Sequence, residues 1–343
     1  MSSEKRISTI ADVAKRAGVS VGSVSHVLSG RTKVSDRLRE RVMLAVAELS
    51  YTPNFHAQGL RQRSSHVVGL SLPHSRTAYM SGLIERIEAL AAESGYVLLH
   101  VFSRSRSDVE QRRVQELMKM KVDGIILFTT NVEKDALDYI AARKTPTVLI
   151  DRSNDDDRFD QVVLDGGASM RDAVSKLVSF GHRNILFVFR SRRIGVTQDR
   201  IEGLLAFQKA SPVPVTLQQL EFIDDDTRLL KKLRSVFRSK ERPTAIIASN
   251  SDQAAMIISF LREERLRIPE DVSVITFDEP DWSELVSPPL SVIRQPARSI
   301  SDIAWTLLMQ RIAAPEAARQ TVTLNAELVL RGSVARPSAA DSD

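Results

Sequence analysis

Apolar positions along this chain follow two rhythms. Between residues 9 and 49 they recur at helical spacing in short bursts: Ile10, Val13, Ala14 and Ala17, then Val24, Val27 and Leu28, then Leu38, Val42, Ala45, Val46 and Leu49. Polar residues punctuate these bursts as helix ends require. Thr9 can cap the first helix with Asp12 favouring its positive end, Gly18 permits the positive φ that stops it, and Ser20 and Ser35 can cap the second and third. From residue 66 onward the rhythm changes. The runs VVGLSL, YVLLHVF, GIILFT, TVLID, NILFVF, TAIIAS and SVITFD alternate with amphipathic segments. Unbroken apolar strands separated by helices predict parallel sheets covered on both faces. Two successive series predict two doubly wound lobes, with SVIRQP and TVTLNAELVLRG crossing back between them.

Three short helices around so small a core fit a helix-turn-helix, whose second helix enters the major groove of DNA. The alternative, a small helical cap on a larger domain, leaves unexplained the outward face expected for Val21, Gly22, Ser25 and His26. Charge sharpens the choice. Residues 1–63 carry eleven basic and five acidic side chains, net +6, whereas the remaining 280 residues sum to −1. A basic module on a near-neutral body calls for a polyanionic partner.

Other chemistry is thinly represented. The 343 residues include no cysteine, which removes disulfides, thiolate catalysis and cysteine zinc sites. The six histidines show no metal spacing, and neither a glycine-rich phosphate loop nor a nucleophile elbow occurs. DDDR and DDDT read as solvated charge runs. No catalytic residue, metal or cofactor is therefore expected. The first residues lack the apolar core of a signal peptide, and no stretch approaches the roughly 20 apolar residues of a membrane helix. A cytoplasmic protein, nucleoid-associated when on DNA, is the expectation.

The segment STIADVAKRAGVSVGSVSHVLSG resembles the amino-terminal signature of the lactose/galactose repressor family, and LAVAELSYTPNFHAQGLRQR resembles that family's third helix and hinge. The resemblance continues to about residue 333 through LIDR, VVLDGGASMRDAVSKLVSFGHRNILFV, TQDRIEGLLAF and RIPEDVSVITFDEPDWSELVSPPLSVIRQP. It implies an N-terminal all-α helix-turn-helix domain (1–52), a hinge (53–65) and an α/β periplasmic-binding-protein-like effector and dimerisation domain (66–335). The first lobe would take residues 66–163 and 296–322, the second 164–295 and 323–335, leaving a polar tail at 336–343. That tail shows no heptads, so a dimer is expected.

By the same resemblance, Thr9, Ser20, Val21, Gly22, Ser23, Ser25 and His26 fall at DNA, with Val21, Gly22 and His26 at the base-reading positions. The family more often has arginine where His26 stands, and Gly22 offers no side chain, so an unusual half-site is expected. Asn54, Ala57, Leu60 and Arg61 fall in the hinge, which is expected to fold on DNA and to wedge Leu60 into the minor groove. Arg61 and Arg63 would then meet phosphates.

Open α/β sheets bind ligands beyond the carboxyl ends of their strands. His74, Tyr79, Asp151, Arg152, Arg193, Arg200, Asn250, Asp252, Asp278 and Trp282 are the expected effector contacts. Carboxylates and guanidinium groups offer paired hydrogen-bonding atoms to vicinal hydroxyls. Trp282 would either stack on a sugar face or pack on a lobe. Three departures from the family pattern stand out: Ser251 beside the asparagine, PHSRTAYM after the first strand, and RSRRIGVTQDR after NILFVF. Either Arg190, Arg192 and Arg193 with His74, Arg76 and Arg152 make a cationic cleft for a sugar acid or sugar phosphate, or these arginines pair with NDDD at 154–157 and other acids. The implied function is a transcriptional regulator, most simply a repressor, that binds a pseudo-palindromic operator as a dimer under effector control. The rivals are an activator, or a solute-binding protein with no DNA role, which would need a signal peptide.

Overall fold

The computed structural model describes residues 8–29, 34–51, 64–129, 134–151, 156–191, 195–222 and 226–338. The chain divides into two compact units, Met1–Ser65 and His66–Asp343. In the first, α1 (Ile10–Ala17), α2 (Val21–Ser29) and α3 (Asp36–Glu48) close around Val13, Ala14, Ala17, Val24, Val27, Val42 and Ala45. The caps are those the sequence calls for. Thr9 and Asp12 form a reciprocal capping box, Gly18 ends α1 at φ 65°, and the Ser35 side chain accepts from Leu38 N–H. Arg41 of α3 donates to the carbonyls of Ala17 (2.5 Å) and Gly18 (3.0 Å), so one basic residue of this unit serves the end of α1.

The second unit contains two six-stranded sheets. The first is ordered β11 (Thr321–Leu324), β5 (Asp160–Leu164), β4 (Thr147–Asp151), β3 (Gly124–Leu127), β1 (Val67–Leu72) and β2 (Val97–Phe102), parallel throughout. The second is ordered β12 (Glu327–Val329), β10 (Ser291–Arg294), β9 (Ser273–Phe277), β8 (Ala245–Ala248), β6 (Asn184–Phe189) and β7 (Thr216–Glu221), with only β12 antiparallel. Strands β1, β3, β4, β6, β8 and β9 are buried along nearly their whole length because helices cover both faces.

On the first sheet, α4 (Ala78–Glu93) and α11 (Ala297–Ala313) pack through Leu83, Ile87, Ile300 and Leu308. On its other face lie α5 (Ser107–Lys119) and α6 (Asp135–Ala141), through Val114, Leu117, Leu137 and Ile140. The second sheet is covered by α7 (Gly166–Ser179) and α8 (Gly195–Ala210) on one face and by α9 (Asp226–Phe237) and α10 (Ser251–Glu263) on the other. The chain passes between the lobes after β5, after β10 and between β11 and β12.

Two strands escape the hydrophobic pattern. β7 (TLQQLE) is an edge strand in which Gln218, Gln219 and Glu221 are half-buried and Thr216 is exposed. β5 (DQVVL) opens with two buried polar residues: Asp160 is satisfied by Arg311, and Gln161 donates to the Asp156 carbonyl. Among the described residues no helix is long and apolar enough to cross a membrane, and no group of metal-ligating side chains occurs.

Candidate functional site

Within the first unit, α2 presents Gly22 and His26 to solvent, while Val24 and Val27 face the core. Val21 and Ser25, expected on the outward face, are half-buried, and Val21 packs against the core. Ser20 caps α2: its hydroxyl accepts from Ser23 N–H at 3.1 Å and lies 2.9 Å from the Ser23 hydroxyl. Thr9 is exposed and its hydroxyl donates to Asp12 at 2.7 Å. Asn54, Ala57, Leu60 and Arg61, with Arg152 and Arg193 of the second unit, lie outside the described residues.

Within the second unit, a cavity of about 760 Å³ opens between the carboxyl edges of the two sheets. The first lobe lines it with His74, Arg76, Thr77, Tyr79, Phe128, Thr129 and Asp151, and the second with Arg190, Arg200, Asn250, Asp252 and Asp278. The order of each sheet reverses beside its first strand, the place where such folds bind ligands.

Three charges form the floor. Asp151 ends β4 and Asp278 follows β9, in left-handed backbone at φ 77° and 68°. A non-glycine residue so placed costs of order 1–3 kcal/mol, a strain that persists where the surroundings over-determine it. The two residues are 2% and 4% exposed. Tyr79 donates its hydroxyl to Asp151 Oδ1 at 2.5 Å, and the Gln295 amide donates to Asp278 Oδ1. Burial, with the Asp151 charge adding to it, holds the Tyr79 hydroxyl well above the usual phenol range.

Arg200, 5% exposed, supplies the cation. Its Nη1 donates to the Ser249 carbonyl at 2.7 Å and its guanidinium lies 3.6 Å over the Phe277 ring, which fixes the fork beside Asp278. Burial lowers its pKa, and the charges of Asp278 and then Asp151 oppose that. Burial is also the largest influence on Asp278, whose carboxyl is pushed up to about 6 despite Arg200 and Gln295. Glycine positions the arginine: a Cβ on Gly203, one turn along α8, would lie 2.3 Å from the Gly167 carbonyl. Only without it can α8 sit closely on α7.

Polar atoms without protein partners converge on this cavity. Arg200 Nε, His74 Nδ1 and Gln295 Oε1 are buried and make no hydrogen bond among the described residues. Buried polar groups are normally satisfied, so such atoms mark a place for a polar ligand. Asn250 caps α10 by accepting from Gln253 N–H at 3.1 Å, which leaves its amide hydrogens for the cavity.

Trp282 is a correction. It packs half-buried against the second lobe's core and is not among the cavity's lining residues, because the turn after β9 folds it back onto that core. Thr77, Phe128, Thr129 and Gln295 join the lining without having been singled out by the sequence. Gln295 had a signal, since a connection crossing between lobes must pass the cleft. The arginine question is partly answered: Asp156 binds Arg158 at 2.5 Å, Arg106 pairs with Asp108, and Arg76 meets Asp252 at only 3.5 Å.

Comparison with known proteins agrees with both halves. The family "Bacterial regulatory proteins, lacI family" matches residues 9–54, and "Periplasmic binding protein-like domain" matches residues 174–334. The HTH-type transcriptional regulator DegA of Bacillus subtilis (strain 168) is 30% identical over 338 residues, covering 95% of this chain and 97% of that protein. The HTH-type transcriptional repressor PurR of Photobacterium profundum is 28% identical over 333 residues, covering 96% and 99%. The crystal structure of the Lac repressor dimer bound to operator and the anti-inducer ONPF matches with a TM-score of 0.84 at 25% identity, over 96% of this chain and 100% of that one. With its helix-turn-helix head and two-lobed body, the chain belongs to the lacI family of DNA-binding transcriptional regulators.

Proposed function

We propose that this regulator is a repressor acting as a homodimer on a pseudo-palindromic operator, with α2 in the major groove and Gly22 and His26 facing base edges. A small polyhydroxylated effector (a sugar, sugar acid or sugar phosphate) occupies the cleft. The observation that carries this reading is the floor itself: Arg200 of one lobe balances buried carboxylates from both. A ligand bonded to Asp151, Arg200 and Asp278 touches both lobes at once, so its occupancy biases their separation. The PurR and Lac repressor matches support repression, and the latter structure is a dimer on operator. Hinge residues 53–65 would carry the lobe movement to the heads, with Asn54, Ala57, Leu60 and Arg61 at DNA. A cytoplasmic location follows from this role.

The test is selection of random duplex DNA by the purified full-length chain, repeated with Leu60→Ala. The expected result is a symmetric motif, recovered less efficiently by the variant. Enrichment of single, unpaired half-sites by the wild type would refute dimeric recognition.

A further inference from the structure

Strands β9 and β10 run side by side into the cleft, and the residues that follow them bond out of register. Their ladder sets Phe277 beside Ile293. Continued by one step, it would set Asp278 beside Arg294. The left-handed backbone of Asp278 ends that alternation, and two other pairs form instead. Asp278 accepts from the Gln295 amide inside the cleft, and Glu279 meets Arg294 outside it. Arg294 grips Glu279 through Nε and, at 2.9 Å, through Nη2. Neither Glu279 nor Arg294 is among the cavity's lining residues, yet each is the chain neighbour of one that is.

The same guanidinium reaches the next strand. Arg294 Nη1 donates to Glu327 Oε2 at 3.2 Å, and these two residues face each other in the β10–β12 ladder. Both stand where the chain passes between the lobes: Gln295 and Pro296 follow β10, and Asn325 and Ala326 precede β12. Arg331 closes the cluster. It bonds Glu279 and, at 2.8 Å, Glu284, and its Nη1 donates to the Leu290 carbonyl at 2.9 Å. The Arg294 fork holds the Glu279 carboxyl down to about 2; burial opposes it and Arg331 adds to it. On the first-lobe side, the Asp165 N–H donates to the Leu324 carbonyl at 2.9 Å, where the β5–β11 ladder ends. Bending in these two connections is thereby left to residues 295–296 and 325–326. Gln295, which belongs to the floor, stands in one of them.

We infer that Glu279 and Arg294 are positioning residues for the effector site: from outside the cleft they fasten Gln295 to the second lobe, so that its amide stays on Asp278 while the lobes move. The inference rests on the cleft being the effector site. Without the pair, Gln295 would follow the bending segment, and Asp278 would lose its donor in one of the two lobe arrangements. An ion pair this open to water contributes little stability by itself, so its worth lies in that alignment.

The experiment is a titration of Asp278 by carbon-13 NMR of the full-length protein labelled at its aspartate carboxyls, the signal being assigned by its loss in Asp278→Asn. The double variant Arg294→Gln, Glu279→Gln removes the pair without changing the net charge. Burial, Arg200, Gln295, Asp151 and Asp252 set the Asp278 value, and the variant leaves each of those residues in place. Asp278 should titrate about one pH unit higher in the double variant, as the loss of one hydrogen bond to a carboxylate requires. Gln295→Leu should show the same rise, and adding the double variant to it should raise the midpoint no further. An unchanged midpoint in the double variant overturns the inference. So does an equal further rise on the Gln295→Leu background, which would show that the pair does not act through Gln295. A pooled panel of five- and six-carbon aldoses, ketoses and their acids should also shift the Asp278 signal, at about tenfold higher concentration in the double variant, roughly the worth of one such bond. A panel that moves the signal at the same concentration in both proteins overturns the inference alone. A panel that leaves the wild-type signal unmoved overturns the reading of the cleft as a sugar site, and the inference with it.

Discussion

The two lobes are built on one plan and charged on different ones. Their sheets share a strand order, so β4 and β9 occupy equivalent places, and each leads into a buried aspartate in left-handed backbone. The environments of the two carboxylates diverge from there. Asp151 receives a tyrosine hydroxyl from its own lobe's α4, whereas Asp278 receives an amide from the connection that leaves its lobe. Among the described residues only the second lobe supplies a cation to the floor, and Arg200 lies in the field of both acids. The scaffold is thus duplicated while the site is shared: the Arg200 that meets Asp278 within its own lobe also meets the charge of Asp151 across the cleft. A cleft whose electrostatics join two bodies is suited to reporting on how those bodies stand.

The largest test of that sharing is Arg200→Met, which keeps the bulk over Phe277 and removes the charge. Two buried carboxylates then lose the charge that opposes the cost of their burial, and the Ser249 carbonyl loses its donor, together a loss of about 1–3 kcal/mol. Chemical denaturation of the full chain should show that loss, and effector titration should show no saturable binding. A fall below about 1 kcal/mol would mean that Arg200 does not balance the two acids.

Asp278→Asn should act in the opposite direction. The folded-state pKa is raised, so the protonated form is favoured in the native protein. The corresponding stability is complete below the ordinary aspartate value near 3.8 and is lost as pH rises through about 6. Asparagine mimics the protonated form and keeps the oxygen that accepts from Gln295. The variant should therefore match the wild type near pH 4 and exceed it at pH 8. A carboxyl raised from 3.8 to about 6 sets the ceiling of that gain at about 3 kcal/mol. Effector affinity should fall meanwhile, a trade of function against stability. Melting curves across that range decide it, and a gain that does not vary with pH would locate the effect elsewhere.

How much of this was legible in the sequence depends on how local each cause is. The caps at Thr9, Gly18 and Ser35 were readable because a cap is a contact within four residues. The buried strands were readable because helices on both faces demand unbroken apolar runs. β5 was hidden by Asp160, whose burial depends on an arginine 151 positions away. The floor residues Asp151, Arg200 and Asp278 could be picked out because strand ends face the cleft in this architecture. That Arg200 answers both carboxylates, that Gln295 reaches Asp278, and that Trp282 turns away are facts of tertiary geometry with no local pattern. Basic residues misled in one respect, since Arg41 serves the end of α1.

The smallest effect concerns how each lobe secures its returning chain. In the first lobe Arg311 pairs with Asp160 through two contacts of 2.8 Å and donates to the carbonyls of Pro315, Ala317 and Ala318. In the second the task falls to an imidazole: His182 Nε2 donates to the Ala335 carbonyl at 2.9 Å, and Nδ1 lies 2.8 Å from the Thr244 hydroxyl. Histidine is the side chain whose ordinary value lies in the physiological range. Burial lowers the pKa of His182, the Ala335 carbonyl opposes this, and Arg183 adds to the lowering. The stability it contributes is therefore present above its ordinary value near 6.5 and is lost as pH falls through the lowered one. Thr244 can turn its hydrogen to the Asn184 carbonyl, 3.3 Å away, so acid need not break the bond to His182. What acid costs is burial of a cation beside Arg183. Asp278 changes with the opposite sign over the same range, and His74, facing Arg76, Arg190 and Asp252, with the same sign. The comparison must then be made in an Asp278→Asn background, with and without His182→Gln. At pH 7.5 the glutamine should cost about 1 kcal/mol, the worth of one net hydrogen bond. By pH 5 the gap should close, because only the histidine is charged by acid. A gap constant from pH 7.5 to 5 would mean that folding leaves the proton affinity of this imidazole unchanged, and that both lobes hold their returning strands without regard to pH.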